Sequence, residues 1–277
     1  MIKKVLTFFL VIDDIEQYTS SEKRAKLHAV YDKIKNELND SQITSDPKEA
    51  DIILVGWGDG MFLKTQRQYL NYGKPFYGIN AWRKWNLMNN INHPLPQSAN
   101  EYEVFSYPIY KYCISNHLGE KYSGFYCNEI TIWWDKDSYY EFSLQGEKIG
   151  TIKDLLNGSA LIINTAQWMT GYAWPLHEPL LPLKSTSQRI IWGNIAWFDY
   201  LHIWAQKITI EDTLRRKNLM ASLDGRRWPS INAVQKIEIF PSDQTFDVAY
   251  HKNESYQEKR RIFRKEKNTP IISYKSA

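Results

Sequence analysis

Apolar and polar positions follow three successive rhythms along this chain. Residues 2–12 are almost wholly apolar behind two lysines, which predicts a strand buried on both faces. Residues 20–38 switch to helical spacing. Leu27, Val30, Tyr31, Ile34 and Leu38 fall on one side, and Ser20 or Ser21 stands where an N-cap belongs. A β-branched run at 51–56 predicts a second strand, 61–71 a short helix, and KPFYGIN (74–80) a third strand. Strand–helix–strand–helix–strand implies a parallel sheet with crossover helices. The stretch NNINHPLPQSAN (89–100) then reads as a linker, rich in turn formers. From 101 to about 248 the apolar signal comes in short strand-like runs: YEVFSYPIYKYCIS, YCNEITIWW, YYEFSLQ, SALIINTA, RIIWGNIAWF, KITIEDT and KIEIF. Such runs with turns between them predict an all-β domain. The pattern divides the chain into an α/β domain at 1–95, a β-rich domain at 96–248 and a charged segment at 249–277.

Composition narrows the function classes. A hydrophobic content of 43% over 277 residues supports packed cores. The net charge of +4, from 35 basic and 31 acidic residues, is too small an excess to argue for nucleic acid. The charged 250–268 stretch reads as a solvated helix or arm. Cys113 and Cys127 lie too far apart for a CxxC motif, which suggests reduced thiols in the cytoplasm. The apolar N-terminus is followed by Asp13-Asp14 and not by a small-residue cleavage site, so it reads as a first strand and not a leader. No apolar run is long enough to span a bilayer. The 11 tryptophans and 18 tyrosines are many for this length, and serve either as core or as the lining of a pocket for a flat ligand.

The candidate chemistry starts at Gly-Trp-Gly-Asp-Gly, residues 56–60. A glycine-rich turn between a parallel strand and a helix N-terminus gathers backbone N–H groups and a favourable dipole into an anion site. The turn is neither a Walker A loop nor a G-x-G-x-x-G fingerprint. Asp59 repels phosphate, and has three readings. It holds a magnesium ion that bridges phosphates, it takes the proton from an attacking hydroxyl, or it closes its own turn.

Four further segments stand in order behind this turn: Gly78-Ile79-Asn80 at a strand end, Asn128-Glu129 opening CNEITI, TAQWMTGY from Thr165 to Tyr172, and Asp224-Gly225 in SLDGRR. With Gly58-Asp59-Gly60 they resemble, over most of the chain, the NAD kinase family, which carries Gly-Gly-Asp-Gly-Thr, a GIN strand end, an Asn-Glu pair, Thr-Pro-Thr-Gly-Ser-Thr-Ala-Tyr and a late Asp-Gly turn. The resemblance implies a Rossmann-like N-terminal α/β domain followed by a β-sandwich-like domain. It implies phosphoryl transfer from magnesium-bound ATP to the 2′-hydroxyl of NAD or a related nucleotide, by a cytoplasmic homodimer or homotetramer. It implies Asp59 as the catalytic carboxylate, Gly58 and Gly60 at the donor phosphates, and Asn128 and Glu129 on the ribose and adenine of the dinucleotide. Thr170, Gly171 and Tyr172 would form an adenine and ribose wall, with Thr165 opening that loop and Ser159 standing at a family aspartate.

The departures from the pattern are large residues at small ones. Trp57 stands at the first glycine of the phosphate loop, Trp82 and Trp85 at two loop glycines after the GIN strand, and Gln167-Trp168-Met169 replaces Thr-Gly-Ser. Such replacements predict a reshaped or partly filled pocket. Two alternatives to the family reaction follow: a nucleotide-binding or interaction protein without turnover, and a kinase of the same superfamily with another acceptor.

Overall fold

In the computed structural model, residues 5–12, 14, 16, 19–80, 88–133, 139–146, 150–157, 160–164, 188–194, 197–203, 207–212, 219–224 and 231–252 are described. Those up to Ser106 and from Phe246 onward form one compact unit, and those from Tyr107 to Thr245 the other. In chain order the first unit contains β1 (Phe8–Ile12), α1 (Ser21–Glu37), β2 (Ile43–Thr44), β3 (Ile52–Trp57), α2 (Asp59–Tyr69), β4 (Phe76–Asn80) and β5 (Asn89–Asn90). Then come β6 (Tyr102–Asn116), β7 (Lys121–Tyr126), β8 (Glu129–Trp133), β9 (Tyr139–Gly146), β10 (Gly150–Asn157), β11 (Ala160–Asn164), β12 (Gln188–Asn194), β13 (Trp197–Ile203), β14 (Ile208–Asp212), β15 (Met220–Leu223), β16 (Ile231–Asn232) and β17 (Val234–His251). The long strands β6 and β17 contribute residues to both units.

The first unit is the expected parallel α/β domain. Its strands pair in the order β2-β1-β3-β4, and β4 also takes the C-terminal end of β17 and short β5 as parallel neighbours. Every residue of β3 and β4 is buried, as a strand covered on both faces requires. On one face Leu27, Val30 and Ile34 of α1 are buried, and Val30 and Ile34 pack in one core with Phe8, Ile52, Leu54, Tyr77 and Ile79. Phe62 of α2 meets Phe76 edge-on at 6.1 Å between ring centroids. Ser20 caps α1 by accepting from the Lys23 amide.

Several expectations are corrected here. The first strand begins at Phe8, and residues 5–7 lie outside its ladder. Tyr31 lies at the edge of the α1 stripe and is 40% exposed, not core. The 89–100 stretch is packed structure and not a free linker. Asn89 is buried and its amide donates to the carbonyls of Gly78 and Ala249, each at 3.1 Å, while its Oδ1 accepts from the His251 amide at 2.8 Å. One side chain thereby ties β4, β5 and β17 together.

The second unit is β throughout its described residues. One antiparallel sheet runs β13-β12-β11-β8-β15-β16. In the other, β14 pairs with β9 and β17, β9 with β10, and β6 with β17 and β7. Ile130, Ile132, Ile163 and Ala221 from the first sheet pack against Tyr110, Tyr126, Ile208, Ile210, Ile237 and Ile239 from the second. This is a sandwich core built from alternate positions of each strand. Among the described residues no helix is long and apolar enough to cross a membrane.

Candidate functional site

Within the α/β unit, the Gly-Trp-Gly-Asp-Gly turn lies at the carboxyl ends of neighbouring parallel strands. Ile12 of β1 pairs with Gly56, and Asn80 of β4 pairs with Trp57. The fold thus brings the phosphate-loop motif and the end of the Gly-Ile-Asn strand side by side, at the edge where open parallel sheets bind ligands. Helix α2 starts earlier than residue 61: Gly58 is its N-cap and Asp59 its first residue. The Gly58 carbonyl accepts from the Phe62 amide at 3.0 Å, and the N-cap, being glycine, has no side chain with which to cap the helix. First-turn N–H groups have no partner inside a helix, and the dipole gives that end partial positive charge. Asp59 therefore has an electrostatic reason for its place that is independent of any reaction.

Backbone strain in the loop falls on an unexpected residue. Gly58 has φ of −164°, extended backbone that any residue adopts, and Gly60 lies in the helix. The left-handed half of the map is occupied by Trp57, at φ 132°. Its side chain is buried, with 9% exposure. The glycines contribute bareness and not unusual conformation: a Cβ added at Gly60 meets no atom within 4 Å.

A second cluster forms in the β unit, where the Asn-Glu pair and the Asp-Gly turn meet. Asn128 closes the turn between β7 and β8, Glu129 opens β8, and both are completely buried. Asp224 follows β15 and is also buried. Its Oδ1 accepts from the amides of Asn128 at 2.7 Å and Cys127 at 3.2 Å. Its own amide donates to the Glu129 carbonyl at 2.8 Å, continuing the β8–β15 ladder past Leu223 and Ile130. The Asn128 Nδ2 donates to the Glu129 Oε2. Tyr126, immediately before this turn, is held neutral: burial first, then Tyr110 and Asp224, push its hydroxyl far above its usual range. Two residues on from Glu129, Thr131 pairs with Ser222, and among the described residues neither buried hydroxyl has a hydrogen-bond partner.

The sequence pointed to Asp224 only as part of a turn. Its clamp on Asn128, and the buried hydroxyls of Thr131 and Ser222, were missed. The available signal was polar residues alternating with apolar ones in EITIW and MASL, on strands whose other face is core. Ser159, Thr165, Thr170, Gly171 and Tyr172 lie outside the described residues, as do Trp82, Trp85 and Trp168. Among the described residues no group of three or more His, Cys, Asp or Glu is placed to hold a metal ion.

The NAD kinase of Rhizobium meliloti is 31% identical over 143 residues, covering 50% of this chain and 54% of that protein. The NAD kinase of Rickettsia peacockii is 27% identical over 158 residues, covering 57% of this chain and 60% of that protein. Both of these relatives are NAD kinases, and the chain resembles them as a divergent relative. It matches little more than half the length of these NAD kinases, and no family model matches it. Among solved structures, yeast NADH kinase complexed with NADH gives a TM-score of 0.65 at 8% identity, covering 98% of this chain and 91% of that one. An NAD kinase from Archaeoglobus fulgidus in complex with ATP gives 0.58 at 18% identity, covering 92% and 99%. These two likenesses establish the fold: the parallel α/β unit and the β unit are those of NAD kinases.

Proposed function

We propose that this chain transfers a phosphoryl group from ATP to the 2′-hydroxyl of NAD or a closely related nucleotide. The observation that carries the reading is the position of Asp59, first residue of a helix with a glycine N-cap, at the carboxyl end of a buried parallel strand. The helix end and the bare Gly58 and Gly60 suit the donor phosphates. Asp59 suits removal of the hydroxyl proton as the hydroxyl oxygen bonds to phosphorus and ADP leaves. Asn128 and Glu129 suit the ribose and adenine of the dinucleotide, and Ser159, Thr165, Thr170, Gly171 and Tyr172 its further recognition. Magnesium fits this donor set as an ion brought on the triphosphate, because it is usually held by one or two carboxylates plus phosphates and not by a protein cage. Asp59 is the loop carboxylate that would meet it, and the ion would supply charge neutralisation. A cytoplasmic homodimer or homotetramer accompanies this reading.

The test is to incubate the full chain with NAD, ATP and magnesium and measure NADP. Asp59→Asn keeps the size of the residue and gives up its charge at the helix end, about 0.3–1 kcal/mol, so its melting temperature should fall by only a few degrees while turnover falls by about 100-fold or more.

Trp57 favours a second reading, a nucleotide-binding relative without turnover, because a large buried ring occupies the first position of the loop. That reading expects no NADP from any nucleotide acceptor, but a melting temperature raised by NAD or ATP.

A further inference from the structure

We propose that Asp224 is a positioning residue for dinucleotide recognition: it sets the backbone of residues 127–129 and through it aims Asn128 and Glu129. The inference rests on the reading of those two residues as nucleotide ligands, and adds the group that holds them.

Two observations carry it. The first is conformational. Asp224 has φ of +51°, where an L-residue is disfavoured and glycine is not. The next residue in the sequence is a glycine, yet it is Asp224 that takes the left-handed position. The second is where that carboxylate goes. An aspartate serving only its own turn bonds amides one or two residues away. Asp224 instead accepts from two successive amides, 97 and 96 residues distant in sequence. Its own amide then pins the Glu129 carbonyl. Cys127, Asn128 and Glu129 are each fixed by Asp224, and the Asn128 side-chain Nδ2 in turn donates to the Glu129 carboxylate. A buried charge beside converging N–H groups is satisfied only in this register, so the turn has one low-energy geometry. Removing the acceptor leaves two buried N–H groups without a partner and frees the turn to choose others.

The test uses the full chain with Asp224→Gly, Asp224→Asn and Leu223→Ala. Glycine accepts the backbone angle but has no acceptor. Asparagine tolerates the angle and keeps Oδ1. Leu223→Ala weakens packing beside the same turn and touches none of the three hydrogen bonds. Affinities for NAD and, separately, for ATP are measured by calorimetry, with melting temperature and hydrogen exchange at the Cys127 and Asn128 amides. The expected result for Asp224→Gly is NAD affinity about 10-fold weaker or more, ATP affinity unchanged and faster exchange at both amides. Asp224→Asn should stay within about 3-fold of the parent for NAD. Leu223→Ala should melt lower with its NAD affinity intact. If the glycine variant does not fold, Asp224→Glu, whose acceptor is displaced by one methylene, is read in its place with the same expected loss. NAD affinity unchanged in the glycine or glutamate variant overturns the proposal. So does an asparagine variant as weak as the glycine one, or affinity that tracks melting temperature in all variants including Leu223→Ala. A parent chain that binds no NAD overturns the nucleotide reading itself, a result distinct from a parent that binds while the variants bind equally well.

Discussion

Trp57 carries a backbone cost that its ring must offset. A non-glycine residue in this part of the map costs about 1–3 kcal/mol, and burying an indole returns a similar amount. The position has the backbone of a glycine and the side chain of a core residue. A comparison of two substitutions separates the terms. Trp57→Ala removes the ring and keeps the strain, whereas Trp57→Gly removes both. The glycine variant is therefore expected to be the more stable by about 1 kcal/mol, the reverse of the usual order inside a strand. Urea midpoints at equal slope measure this, and an alanine variant as stable as the glycine one would show that the backbone angle is not strained. At this scale the sequence already marked Trp57 as the odd residue of its loop. It could not show that this residue, and not Gly58 or Gly60, takes the positive φ, because that depends on how β3 hands the chain to α2.

At the scale of elements, the close approach of α1 to β3 depends on Gly56. A Cβ there would meet Val30 Cγ1 at 2.7 Å, and a β-branched helical side chain has few rotamers into which to retreat. Gly56→Ala is expected to cost about 1–3 kcal/mol in unfolding free energy. The same change in a Val30→Ala background should cost less, by a coupling of at least about 0.5 kcal/mol in a double-mutant cycle. Additive effects would mean that the clash is relieved elsewhere. The helix α1 was legible because Leu27, Val30, Ile34 and Leu38 recur at the spacing of one face. The neighbourhood of Asn89 was not. Asparagine and proline read locally as loop formers, but here the asparagine side chain completes hydrogen bonds to strands that the sequence does not place beside it.

At the scale of the whole molecule, the β unit encloses a pair of tyrosines whose titration reports on its core. Tyr110 and Tyr126 stack at 5.7 Å between centroids, and burial raises both hydroxyls above their ordinary value of 10.0. An acid whose folded-state pKa is raised keeps its proton after the unfolded chain has lost it. Stability is then complete below pH 10 and falls as pH rises beyond it, by about 1.4 kcal/mol per pH unit for each such tyrosine. Tyr126→Phe removes one of the two protons involved. The decline of unfolding free energy above pH 10 should be shallower in that variant by about this amount, as measured by denaturant titration at a series of pH values. An unchanged slope would mean that Tyr126 is not held neutral in the folded core. Local pattern was enough to find the two architectures, because a period of two and a period of 3.6 are written into each segment separately. It determined the parallel strand–helix alternation, the β-rich remainder and the order of the five motifs. Only the tertiary structure decided which motifs meet. Trp57 stands beside Asn80, and Asp224 grips Asn128 and Glu129, because strand register brings together residues far apart in sequence, and register is set by mutual burial and pairing of whole strands that no single segment encodes.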